Sequence, residues 1–245
     1  MHCQPRIKTL VYKCLNINQA CLLCGTDAGQ PHPLCLACEL ELPWLDEQCA
    51  RCALPLPLAG LTCAPCSRRP PPFEQVVAPW HYGFPVDTLI SRFKHNRQWP
   101  LGRLLAQLLG QALQHRYMEG LPRPEQLLPV PLARRRLRQR GFNQAGLLAR
   151  WLSKQLDIPC DERQLKRPRE TLAQQSLGAK ARQRNLRQAF SLSPGSDVEG
   201  RHIALIDDVL TTGATARAIA QLLRKAGARR VDVYCLARTP KPQQG

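Results

Sequence analysis

Short apolar runs alternate along the chain with longer stretches whose apolar residues return every three or four positions. Val76 to Tyr82, Leu127 to Pro131, Ile203 to Ile206 and Val231 to Leu236 read as strands. The third ends in two carboxylates, Asp207 and Asp208, as a buried strand does where its tip reaches solvent. Between the strands, Val86 to His95 turns Leu89, Ile90 and Phe93 inward, and Leu101 to Tyr117 carries its core side on Leu104, Leu105, Leu108, Leu109 and Ala112. A third helix bears Leu147, Leu148, Trp151, Leu152 and Leu156. A fourth, Ala216 to Ala226, sets Ile219, Leu222, Leu223 and Ala226 on one face before Gly227 stops it. Strands spaced by helices predict an α/β fold, a mostly parallel sheet flanked by helices.

The first quarter of the chain has another rhythm. Cys21/Cys24, Cys35/Cys38, Cys49/Cys52 and Cys63/Cys66 are CxxC pairs, each starting fourteen residues after the last. Pairs about ten residues apart suit a tetrahedral zinc ion, two thiolates from each pair, and two zinc ions use all eight ligands. Sequential pairing gives two tandem ribbons, although the spacing leaves a crossed arrangement open. Closed four-thiolate sites serve folding rather than catalysis. Pro70 to Pro72 read as a stiff linker, so a small double zinc-ribbon domain is expected over 21–69, an α/β domain over 73–238 and a disordered tail over 239–245. Residues 1–20, with Cys3 and Cys14 outside any spacing, carry no assignment.

Charge is regional. The formal net charge is +17, yet residues 1–75 are balanced, whereas 132–190 hold fifteen basic side chains against four acidic ones. A solvated face usually mixes signs, so this block predicts an anionic partner, either a pyrophosphate or a nucleic-acid backbone. No start resembles a secretory leader and no run approaches the ~20 apolar residues of a membrane span, so a cytoplasmic protein is expected. In that compartment thiols favour zinc over disulfides.

The acid pair is followed by Thr211, Thr212, Gly213, Ala214 and Thr215 at the start of the fourth helix. A hydroxyl-rich turn at a helix N-terminus offers amides and a positive dipole end to a phosphate, and it lacks the Gly-Lys-Ser/Thr ending of a P-loop. Carboxylates for hydroxyls beside a phosphate cradle describe ribose 5-phosphate. Leu205 to Thr215 resembles the phosphoribosyl pyrophosphate (PRPP) signature of type I phosphoribosyltransferases. That likeness implies Asp207 and Asp208 on the ribose hydroxyls, Thr211 to Thr215 around the 5-phosphate, and magnesium arriving with PRPP.

Three further stretches occur in a fixed order with this loop. They are the thiol pairs, Arg140-Gly-Phe-Asn-Gln144 after Val130-Pro-Leu, and a segment from Thr171 and Gln174 to Asn185. Together they resemble the ComF family of competence proteins, near its GntX-like branch, over nearly all of residues 21–238. The resemblance implies a double zinc ribbon ahead of a type I phosphoribosyltransferase-like fold, and a role in handling incoming DNA for competence or as a nutrient. It also implies a pyrophosphate-side loop of Arg136, Arg140, Gly141, Asn143 and Gln144, and a flap carrying Thr171, Gln174, Arg182 and Asn185.

Two functional readings follow. In one, PRPP donates its phosphoribosyl group to an acceptor that no sequence element identifies. In the other, PRPP only regulates a protein that binds single-stranded DNA or joins DNA-uptake proteins. Aromatic residues make up 5% of the chain, so DNA binding is expected to rest mostly on phosphates, with Trp44, Trp80, Trp99 and Trp151 in the core rather than serving as stacking platforms.

Overall fold

The computed structural model describes residues 19–58, 60–168 and 189–240. The chain divides into two compact units after Leu42. In the first, Cys21, Cys24, Cys35 and Cys38 converge beside the short helix α1 (Leu36–Leu40), with Ala28 and Leu34 buried beneath the turns.

The second unit opens with the other four cysteines and α2 (Ala64–Arg68). There follow β1 (Gln75–Val77), β2 (Trp80–His81), α3 (Val86–Asn96), α4 (Trp99–Met118), β3 (Gln126–Pro129), α5 (Arg134–Arg140) and α6 (Gln144–Leu156). The chain continues through β4 (Leu165–Lys166), β5 (Ser191–Leu192), β6 (His202–Leu210), α7 (Ala214–Lys225) and β7 (Arg230–Arg238).

The main sheet is parallel throughout, in the order β1-β7-β6-β3, with β2 also on β7. The strand expected over 76–82 is split because Pro79 has no N–H to donate, and β2 resumes the register of β1 on β7. Beyond β3, the Leu127 amide donates to Pro159 O (2.8 Å) and the Asp161 amide to Leu127 O (3.1 Å), covering that edge. Sandwiched between helices, Ile203 to Ile206 and Val231 to Ala237 are entirely buried. This is the near-continuous apolar reading of a parallel strand covered on both faces.

Helix α6 packs on β3 and β6, α4 on α6, and α3 on α4. Gly102 permits the last contact, since a Cβ there would stand 2.5 Å from the Phe93 ring. At the start of the central strands, His202 Nε2 meets Asp232 Oδ2 at 2.8 Å and Arg230 closes on the same carboxylate. This buried polar knot anchors the strand ends away from the acid pair.

The second cysteine cluster shares the core of the sheet rather than standing beyond a linker. Cys49, Cys52, Cys63 and Cys66 are buried in one cluster with Leu45, Leu54, Phe73, Val76 and Leu210. The Val76 amide donates to Arg51 O at 2.9 Å, and the Leu45 amide to Pro79 O at 2.8 Å. Apolar side chains flanking the cysteines give this segment a face to bury, which the thiol spacing alone did not reveal. β4 and β5 pair antiparallel and bracket the basic segment expected as a flap. Thr171, Gln174, Arg182 and Asn185 lie outside the described residues.

Candidate functional site

β6 does not stop at Ile206. Its ladder with β7 continues through Val209 and Leu210, carrying the acid pair inside the strand instead of at a solvent tip. Asp208 is only 5% exposed, and Asp207 is half-buried. The buried carboxylate has a partner the sequence did not announce: Lys94 Nζ, from α3, lies 2.5 Å from Asp208 Oδ2. Asp208 Oδ1 accepts from the Val209 amide at 2.8 Å, and Asp207 Oδ1 accepts from the Asp208 amide at 2.9 Å. Burial, and then the neighbouring Asp208 charge, hold the Asp207 carboxyl well above the usual carboxylate range. Such a group gains from hydroxyl donors.

The chain then turns. Thr211 and Thr212 are exposed, and Gly213 takes the left-handed conformation (φ 73°, ψ 8°) that starts α7. The Ala214 amide donates to Thr212 Oγ1 (3.3 Å), and the first regular helical bond runs from the Arg217 amide to Gly213 O (2.9 Å). The amides of Thr215 and Ala216 have no acceptor among the described residues, and the first turn has no acidic side chain. Unpaired amides and a positive dipole end, held by a twelve-residue helix, make an anion seat.

Arg238, at the end of β7, holds this turn from behind. Its Nη1 donates to the carbonyls of Leu210 (3.0 Å), Thr239 (2.7 Å) and Thr211, while its Nε donates to Cys52 O at 3.0 Å. The side chain is buried and no carboxylate pairs with it among the described residues. Thr239, expected in the tail, is tied in as well, its amide donating to Leu210 O at 3.1 Å. A cavity of about 490 Å³ lies between the loop and the second cysteine cluster, walled by Leu54, Cys63, Phe73 and Gly213 with Arg217 and Arg238.

The arginine-rich stretch forms α5, a helix without a single buried residue. Arg134 to Arg136 therefore do sit at a helix start, opposing its dipole, with Arg138 and Arg140 in the favourable last turn. Arg136 and Arg140 are one turn apart on α5, and Arg140 is close enough to Asp208 to feel its charge. Burial lowers the pKa of Arg140, Asp208 raises it and Arg136 lowers it again. Arg140 Nη1 donates to Gln144 Oε1 at 2.5 Å. Asn143 serves the backbone, capping α6 as it accepts from the Ala145 amide (3.2 Å) and donates to Val130 O (3.1 Å). Gly141 ends α5 with φ 82°, and a Cβ there would stand 2.8 Å from Arg97 Nη2. The fold thus brings Asp207, Asp208, Arg136, Arg140 and Gln144 to one edge of the sheet. Lys94, Arg97 and Arg238 were missed by sequence reasoning, and no local motif marks them.

Both cysteine groups pair sequentially, with the four sulfurs of each within 4.8 Å of one another. Cys24 and Cys35 sulfurs are 3.7 Å apart, and Cys52 and Cys63 sulfurs 3.6 Å. A tetrahedron with metal–sulfur bonds of ~2.3 Å has edges of ~3.8 Å, so the geometry fits zinc. Thiols in both groups are shifted towards ionisation: Cys24, lowered by its hydrogen bond with Thr26, and Cys21 in the first, and Cys49 in the second. Burial resists, but backbone donors prevail, bringing Cys21 down to about 6 and Cys49 to about 7.

A parallel α/β sheet with an acid pair, a threonine turn at a helix start and arginines opposite defines the type I phosphoribosyltransferase class, and the phosphoribosyl transferase domain family matches residues 139–244. More narrowly, the chain belongs to the ComF family of DNA utilisation and competence proteins. It is 41% identical over 173 residues to DNA utilization protein YhgH of Escherichia coli K12, covering 70% of this chain and 75% of that one. To competence protein F of Haemophilus influenzae it is 42% identical over 173 residues, 70% of this chain and 76% of that one. Competence protein ComFC of Bacillus subtilis is 36% identical over 118 residues, 46% of this chain and 44% of that one. Among the described residues, no helix is long and apolar enough to cross a membrane.

Proposed function

We propose that the chain binds PRPP at the carboxyl edge of its sheet and transfers the phosphoribosyl group to an acceptor during the use of incoming DNA, acting in the cytoplasm. The observation that supports this most is the opposition of two charge types across one strand end: Asp207 and Asp208 on β6, and Arg140 on α5, which feels the Asp208 charge and has Arg136 one turn before it.

The carboxylates accept from the ribose hydroxyls, and the Thr215 and Ala216 amides with the threonine hydroxyls receive the 5-phosphate. Arg136 and Arg140 receive the pyrophosphate, where guanidinium forks match its oxygens. The bond between ribose C1 and the pyrophosphate oxygen breaks with its electron pair leaving on pyrophosphate. An acceptor lone pair forms the new bond to C1, and the acceptor gives up a proton. Positive charge on the ribose ring is held by the nearby carboxylates, and negative charge on the leaving group by the arginines. Magnesium, bound with PRPP, would neutralise pyrophosphate charge; Asp207 and Asp208 offer the hard oxygen donors it requires. Thr171, Gln174, Arg182 and Asn185 are assigned to the flap by family resemblance, and both cysteine groups to structural zinc.

Calorimetric titration with PRPP and magnesium tests the binding step. Asp207→Ala and Asp208→Ala should each abolish measurable binding, and unchanged affinity in both would remove the ribose assignment. Pyrophosphate release against bases, nucleosides and single-stranded DNA then tests transfer and identifies the acceptor.

A further inference from the structure

Residues 88–118 and 126–156 contain twelve Lys and Arg and no Asp or Glu. These stretches hold α4, α5, α6 and α3 from Thr88 onward, leaving out Asp87 in the first turn of α3, and α4 packs against α6, so the surface they build is predominantly cationic. Of the acids near it, Asp208 is taken by Lys94, Glu162 by Arg150 at 2.7 Å, and Asp87 accepts from the Thr88 amide and hydroxyl. Arg97, Arg103, Arg134, Arg138 and Lys154 form no ion pair among the described residues. Arg134 and Arg138 stand one turn apart on α5, out of step with Arg136 and Arg140.

Aromatic rings link the two ends of this surface in a file that passes through the buried Phe93. Trp99 lies 4.8 Å from Phe142, Phe142 5.8 Å from Phe93, and Phe93 6.0 Å from Trp151, measured between ring centroids. Trp80 is fully buried, as expected of a core tryptophan, but Trp99 is 41% exposed and Trp151 half-exposed, contrary to the expectation for them. Trp99, Arg103 and Gln107 follow at four-residue intervals on α4; Arg103 and Gln107 meet Trp151, Lys154 and Gln155 of α6, while Trp99 meets Phe142. Arg103, Gln107, Trp151, Lys154 and Gln155 line a cleft of about 400 Å³.

We infer that this α4–α6 face is the docking track for single-stranded nucleic acid, with bases stacked on Trp99 and Trp151 and phosphates on Arg97, Arg103, Arg134, Arg138 and Lys154. Cations alone would accept any polyanion. Exposed indoles beside them select unpaired bases, since a duplex keeps its base faces stacked. The inference rests on the reading that nucleic acid is the partner, and gives that partner a place distinct from the PRPP edge.

The test is a fluorescence-anisotropy titration of the full zinc-loaded chain with a labelled thymidine oligonucleotide, from about 50 to 200 mM salt. Trp99→Ala and Trp151→Ala should each weaken binding about tenfold, with Phe at either position restoring most of it. Arg103→Glu with Lys154→Glu should weaken it further and flatten the salt slope by about two. An abasic oligonucleotide should bind weakly and be indifferent to the tryptophan variants. PRPP calorimetry on every variant reports that the fold is intact. Oligonucleotide binding undisturbed by all four substitutions would place the nucleic acid elsewhere and overturn the track. Poly-glutamate binding with equal affinity and equal dependence on Trp151 would reassign the face to an acidic protein. No oligonucleotide binding at low salt would end the nucleic-acid reading, and the track with it, while leaving PRPP binding to its own titration.

Discussion

Lys94 Nζ and Asp208 Oδ2 stand 2.5 Å apart, joining α3 to the inner carboxylate of β6. The lysine side chain is 19% exposed and the aspartate 7%, so the pair is largely removed from water. Lys94→Met strands a buried carboxylate and should cost about 3 kcal/mol in urea unfolding, the low end for a broken buried pair because the lysine keeps some solvent. Adding Asp208→Leu should recover most of that loss, since an apolar pair needs no partner. A double variant no more stable than the single one would mean the ion pair does not carry the effect.

Asp207 sets a pH dependence. Its carboxyl is held well above the usual range in the folded chain, so between the ordinary value near 3.8 and its raised value the folded state binds more protons than the unfolded state. Stability therefore falls as pH rises through that window. Asp207→Asn removes the penalty: its melting temperature should exceed that of the parent at neutral pH, and the difference should close as pH drops towards 4. A constant difference across pH would assign the effect to packing.

Gly213 has open space where a side chain would start, with nothing within 4 Å of an added Cβ, but its φ of 73° is left-handed. Gly213→Ala is thus a test of backbone strain without a clash. It should lower stability by about 1 kcal/mol and weaken PRPP binding, because the same turn aims the α7 amides. Unaltered PRPP affinity in this variant would argue that those amides do not hold the phosphate.

Arg238 bridges Cys52 O and the carbonyls of Leu210 and Thr211, so the second cysteine group and the 211–215 turn share one buried guanidinium. Stripping zinc with a chelator should accelerate amide exchange in residues 211–215 while α6 stays protected. In Arg238→Met that exchange should already be fast with zinc present and respond little to chelation. Arg238→Lys should restore stability better than it restores the zinc response, because one ammonium cannot span both carbonyl groups. Exchange in 211–215 indifferent to chelation would uncouple the two.

Much of this protein was legible along the chain because the signals are local. Apolar periodicity located α3, α4, α6 and α7, and the CxxC spacing predicted two four-thiol groups while leaving their pairing open, which the structure resolves as sequential. The acid pair and Thr-Thr-Gly-Ala-Thr pointed to sugar hydroxyls and phosphate because their chemistry is written in adjacent residues. Tertiary structure decided the rest. Lys94 reaches Asp208 across 114 positions and Arg238 reaches Cys52 across 186, distances over which no spacing rule operates. Burial of Asp208 follows from a ladder that extends past Ile206, and the second cysteine group joins the sheet because its flanking apolar residues find no other face to cover. Trp99 and Trp151 illustrate the division: hydrophobic residues at helical spacing look like core, and only the packing of α4 against α6 determines which indoles keep a face towards water.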